Sequence, residues 1–177
     1  TIIQGDPGEG KTTMVLQIIA KLTRGETILP ADSTKDKRID IDSESDMVDA
    51  ENIENNASTQ HLEAPVNVIY QTAEDGLGDT IKPRLLAAGA DCTKVMVIDD
   101  SEQPLTMADV RLEEAIVQTK ARMVVLDPIQ GFLGSEVDMH RANEIRPLMK
   151  RIAVLAEKYH CAIILIGHMN KNSNGKS

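Results

Sequence analysis

The octapeptide Gly5-Asp6-Pro7-Gly8-Glu9-Gly10-Lys11-Thr12 lies between an apolar stub, Thr1-Ile2-Ile3, and an apolar run from Thr13 to Ala20. It meets G-x-x-x-x-G-K-[ST] at every defined position. A chain built this way must pass from a strand through a tight glycine turn straight into a helix. In that context the turn's backbone N–H groups and the helix N-terminus converge into a cradle for an anion. Glycine lets the backbone wrap a phosphate without Cβ clashes. Lys11 would reach the terminal phosphates, and Thr12 would place its hydroxyl on Mg²⁺. The phosphate-contacting set is then Gly5, Asp6, Pro7, Gly8, Glu9, Gly10, Lys11, Thr12 and Thr13. The plainer alternative is a glycine turn that only caps a helix.

Composition narrows the class. Of 177 residues, 41% are hydrophobic and 27% charged, which suits one α/β domain with a real core. No apolar run is long enough to span a membrane, and no signal peptide opens the chain. The chain begins within an expected strand and ends in an expected loop, so it reads as a core truncated at both ends, residues 1–177, of a longer protein. Cys92 and Cys161 follow no metal or redox spacing. Cys161 opens an apolar strand as a small buried hydrophobe, in keeping with a reducing cytoplasm.

The net charge of −9 argues against nucleic acid until its distribution is considered. Residues 26–63 carry eleven acidic side chains against Lys35, Lys37 and Arg38, so −8 of the −9 sits there. That stretch is rich in Asp, Ser, Asn and Thr and poor in large apolar residues, the composition of a solvated or disordered insertion. The remaining body is close to neutral, and no basic patch replaces the lost argument.

Beyond the insertion, strands and helices alternate. Strands are expected at 66–70, 95–98, 123–126 and 162–166. Helices are expected at about 80–88, stopped by Gly89, and from a capping box at Thr106–Asp109 with Val110, Ala115 and Ile116 toward a sheet. Another runs from a first-turn Pro147 to about Tyr159, with Leu148, Ile152 and Leu155 on one face. This alternation implies a mostly parallel sheet with helices on both faces, and ligands at the strands' carboxyl ends.

Polar residues end three of these strands: Glu74-Asp75 after Tyr70–Ala73, Asp127-Pro128 after Leu126, and His168–Lys171 after Gly167. Asp127 after four apolar residues reads as the Walker B aspartate that supports Mg²⁺, against the alternative of a turn or cap. Because Pro128 follows it rather than a carboxylate, the catalytic base must come from another strand. Glu74 is the best-placed candidate to orient and deprotonate water, with Asp75 as fallback. His168 is placed to sense the γ-phosphate, or is structural. His61, His140 and His160 show no metal-ligand spacing.

Together these residues resemble the RecA-like P-loop ATPases, in the branch of RepA-type hexameric helicases and related prophage or plasmid ATPases. Tyr70–Asp75 is similar to that branch's strand ending in a catalytic Glu, and Lys82–Ala90 to its following helix. Val124–Pro128 resembles the Walker B strand, and Gly167–Lys171 the sensor strand end. The chain is similar, less specifically, to RadA-type recombination ATPases. The resemblance implies Mg²⁺-dependent ATP hydrolysis, a homo-hexamer or filament, and coupling to single-stranded DNA in replication, recombination or repair. It places DNA-facing loops at about 131–143 and from 170 onward, and the arginine finger beyond residue 177. It also makes Arg84 a nucleotide contact, with a surface ion pair as the alternative. Aromatic residues are 2% of the chain, so the usual base-stacking platforms are nearly absent. Two other classes stay open: a nucleotide-gated binding module with little turnover, and a small-molecule P-loop kinase, for which no Arg cluster is found.

Overall fold

The computed structural model describes residues 1–6, 8–28, 64–135, 137 and 141–168. Among them the strands are β1 (Ile2–Gly5), β2 (Val68–Thr72), β3 (Val95–Met96), β4 (Met123–Asp127) and β5 (Ala162–His168). They form one sheet in the order β1-β5-β4-β2-β3 with every pairing parallel. Four α-helices connect them: α1 (Lys11–Arg24), α2 (Lys82–Ala87), α3 (Val110–Thr119) and α4 (Ala142–Lys158). The expected α/β architecture, a parallel sheet covered on both faces, is what the chain adopts.

Side-chain parity along the strands sorts the core into two halves, because successive residues of a strand point to opposite faces. Val68, Tyr70, Met123 and Val125 pack with Val15, Leu16 and Ile19 of α1 and Leu85 of α2. Ile69, Val124 and Leu126 pack with Leu112 and Ile116 of α3 and Ile152 and Leu155 of α4. All five residues of β4 are buried, which explains why its sequence runs apolar without alternation. At roughly 1.5–3 kcal/mol for each fully buried aliphatic side chain, this strand anchors both layers. Its register is set against β2 by Val68↔Met123 through Thr72↔Asp127, and against β5 by Met123↔Ala162 through Leu126↔Leu165.

Several boundaries differ from expectation. The strand expected at 95–98 pairs only through Val95 and Met96. The buried side-chain amide of Gln71 carries the connection onward: its Nε2 donates to Ile98 O and its Oε1 accepts from Ile98 N, each at 3.0 Å. A side chain thus replaces the backbone ladder. The helix expected from Thr80 begins as a π-helical turn, Leu77–Ile81, before α2, and Gly89 ends it at φ 79° as expected. Helix α3 is capped by Asp109, whose carboxylate accepts from Arg111 N at 2.9 Å, and not by Thr106. Val110 is accordingly exposed on the outer side. Helix α4 starts at Ala142, so Pro147 lies inside it rather than in its first turn.

Other expectations fall on residues that serve the core. Within the proposed DNA loop at 131–143, Phe132 and Leu133 are buried, and Ala142 and Asn143 belong to α4. Phe132 O accepts from Met107 N at 2.8 Å. Residues 136, 138–140 and 169–177 lie outside the described residues, as does 29–63 of the acidic insertion, with His61 and His140. Glu26, counted with that insertion, pairs with Arg24 at 2.6 Å against the end of α1. Cys161 is buried, and burial pushes its thiol up to about 11.

Asp109 also holds Arg111, at 2.6 Å, and Arg111 reaches on to the carbonyls of Asp99 and Gln103. The Arg111 hydrogen bonds hold the Asp109 carboxyl below the usual aspartate range. Its contribution is therefore complete above the unfolded-state pKa and disappears as pH falls through the lower folded value. Asp109→Ala should cost about 1 kcal/mol in urea denaturation at neutral pH. The gap between variant and wild type should close well below about pH 3.9.

Candidate active site

The sheet order puts the carboxyl ends of β1, β5, β4 and β2 side by side, and the glycine turn leaves β1 at that rim. Gly8 and Gly10 adopt φ 85° and 81°, the left-handed region that other residues enter at a cost. Among the described residues nothing lies within 4 Å of where a Cβ on either would stand. Gly10 is the N-cap of α1 and supplies no side-chain acceptor to its first-turn N–H groups. Those donors and the positive end of the helix dipole therefore face the cradle. A cavity of about 160 Å³ lies there, lined by Gly8, Gly10, Lys11, Thr12, Thr13 and Arg84.

Lys11 is buried, and its ammonium donates to Gly5 O at 2.9 Å and Asp6 O at 2.6 Å. The Glu9 carboxylate folds back over the turn and accepts from Asp6 N at 2.8 Å. Pro7 lies outside the described residues.

Asp127 closes the site from β4. Parity and register turn it to the α1 side of the sheet, the side on which Tyr70 of β2 also lies. Its Oδ2 accepts from Thr12 Oγ1 at 2.8 Å and from the Tyr70 hydroxyl at 2.8 Å. Asp127 is 5% exposed and Tyr70 is fully buried. Burial first, and then the Asp127 carboxylate, push the Tyr70 phenol far above its ordinary range, so it remains a donor at any working pH.

Glu74 follows β2 in an exposed turn whose backbone is tied down: Glu74 N and Asp75 N both donate to Thr72 Oγ1, at 3.3 and 3.1 Å. Ala73 N donates to Asp127 O at 3.1 Å, which fixes the Glu74 turn beside the end of β4. Asp75 is paired with Arg84 at 3.8 Å, both partly exposed. Arg84 thus lines the cavity and also makes the surface ion pair expected as the alternative. The main chain of His168 pairs with Gly5, so the end of β5 sits next to the start of the turn. Lys11, Thr12, Asp127 and the backbone of Glu74 and His168 are therefore gathered on one rim.

Three features escaped the sequence reading: Tyr70 on Asp127, Gln71 on Ile98, and the approach of Gly131 to Ala73. A Cβ on Gly131 would clash with that of Ala73. Only Tyr70 left a trace, as one of two tyrosines and the one aromatic residue in an aliphatic strand.

The donors fit a nucleoside triphosphate with Mg²⁺. The cradle offers backbone N–H groups and one ammonium, and Thr12 and Asp127 offer the hard oxygens Mg²⁺ prefers. Fold and site together define a P-loop nucleotide-binding domain. The family model described as an AAA domain matches residues 1–174, and the chain belongs to that family, an ATPase family. No curated protein sequence matches the chain. Among solved structures it is similar to a KaiC-like protein of the hyperthermophilic archaeon Pyrococcus horikoshii OT3, at 14% identity and a TM-score of 0.55. That match covers 97% of this chain and 63% of the other, so the chain spans less than two thirds of that protein. The likeness shows the RecA-like fold.

Gly131 gives a test of how the rim is held. Gly131→Ala should force the turn after β4 away from Ala73 and shift the Glu74 turn. A displacement of that kind costs up to about 100-fold in turnover. Steady-state hydrolysis should fall accordingly, and Ala73→Gly in the same chain should restore most of it by removing the opposing methyl.

Proposed function

We propose that this chain is the motor core of a Mg²⁺-dependent ATPase that acts on DNA, in the manner of RepA-type helicases or RadA-type recombination ATPases. The observation that carries the catalytic part is the Thr12–Asp127 hydrogen bond on the rim that also bears the Glu74 turn. Thr12 and Asp127 hold Mg²⁺, which when bound neutralises charge on the β- and γ-phosphates. The turn's N–H groups and Lys11 hold the phosphates. Lys11 exchanges its two carbonyl partners for phosphate oxygens and meets the charge that develops on the leaving oxygen.

Glu74 takes the proton of a water as its oxygen bonds to the γ-phosphorus. The bond from that phosphorus to the β–γ bridging oxygen breaks, releasing ADP and phosphate. Glu74 is exposed, so its proton can pass to solvent after the step. Arg84 contacts the nucleotide from the cavity wall, and His168 reports the γ-phosphate from the neighbouring strand end. The DNA role, the hexamer or filament, and the neighbour-supplied arginine are supported by the likeness to the RecA-like ATPases. The near-neutral charge of the body is compatible with them.

Glu74→Gln should leave nucleotide affinity within about twofold and cut turnover by on the order of 100-fold or more, the scale of a general base. Lys11→Ala should instead weaken binding itself. Equilibrium binding of a fluorescent ATP analogue and phosphate release separate the two, and near-normal turnover in Glu74→Gln would remove Glu74 from the role. Hydrolysis by the full-length protein should rise when single-stranded DNA is added. Tight ATP binding without DNA-stimulated turnover would instead identify a nucleotide-gated binding module.

A further inference from the structure

We propose that Tyr70 is a positioning residue that sets the metal affinity of the Asp127 carboxylate. The inference rests on the reading of Thr12 and Asp127 as the Mg²⁺ site and adds a third member to it. Two hydroxyls, from Thr12 and Tyr70, converge on Oδ2 of Asp127, each at 2.8 Å. Two donors in hand fix the rotation of a carboxylate that one donor would leave free to swing. They also direct the roles within the pair. Thr12 gives its proton to Asp127, which leaves the Thr12 lone pairs for a cation.

The placement of Tyr70 is specific to this task. It lies on β2, where the Thr72↔Asp127 register sets its side chain on the same face and within reach of Oδ2. Tyr70 is fully buried and belongs to the same apolar cluster as Val15, Ile19, Val68 and Val125. This buried hydroxyl donates its hydrogen bond to Asp127. Phenylalanine would fill the same core volume equally well, so packing alone does not account for the oxygen. Partners that orient a metal ligand are worth about 10–100-fold in metal affinity.

The test is Tyr70→Phe in the full-length protein, read by titrating Mg²⁺ against binding of a fluorescent ADP analogue, with direct Mn²⁺ binding by electron paramagnetic resonance. Nucleotide affinity in EDTA should stay at the wild-type value. The Mg²⁺ and Mn²⁺ midpoints should rise by about 10-fold or more. Unchanged midpoints in a folded Tyr70→Phe protein would overturn the proposal. Asp127→Asn run in parallel separates the two levels. If it too leaves the midpoints unmoved, the Mg²⁺ assignment of Asp127 fails. If it raises them and Tyr70→Phe does not, only the positioning role fails. Should Tyr70→Phe not fold, 3-fluorotyrosine at position 70 keeps the hydroxyl. Its ¹⁹F resonance should then shift when Mg²⁺ is added to the ADP complex, and a resonance that stays in place would equally overturn the proposal.

Discussion

A single carboxylate oxygen joins the parts of this molecule that matter. Oδ2 of Asp127 accepts from Thr12 on α1 and from Tyr70 on β2 while Asp127 itself ends β4. A buried carboxylate without partners would be costly, and two hydroxyl donors offset that cost. The same contacts hold the first turn of α1 against the centre of the sheet. The glycine turn leads straight into that first turn of α1 and shares its anchorage.

The second constraint is electrostatic. A helix N-terminus, a buried ammonium and a ring of backbone N–H groups face one cavity of about 160 Å³. Lys11 is held by the carbonyls of Gly5 and Asp6, and the Glu9 carboxylate accepts from Asp6 N. The cradle therefore carries internal partners that an incoming phosphate must exchange for itself. For Lys11 the exchange trades neutral carbonyl acceptors for charged phosphate oxygens, which favours the bound state.

How much of this was legible depended on whether the signal was local. The phosphate loop, the strand ending in Asp127, and the glycine stop at Gly89 follow from turn chemistry and burial within a few residues. The boundaries of α3 and α4 did not. Thr106–Asp109 looks like a capping box, yet Asp109 takes the cap because Arg111 holds its carboxylate in place. Pro147 reads as a helix start, yet the chain is already helical from Ala142. The strand at β3 was expected to be longer, because apolar residues to Ile98 do not reveal that Gln71 takes over from the backbone ladder. Phe132 and Leu133 could be read as loop residues only because the core they fill is distant in sequence.

By itself the sequence determined the chemistry present: an anion-binding turn, a lysine, a metal-compatible hydroxyl, and carboxylates placed after apolar strands. It also determined the alternation that makes a parallel sheet, since periodicity and turn residues act over short spans. Only the tertiary structure decided which of those groups meet. Strand order put β4 between β2 and β5, and register paired Thr72 with Asp127. Side-chain parity then turned Asp127 and Tyr70 toward α1. These are relations between segments far apart in the chain, set by packing of the whole sheet, and no local pattern encodes them.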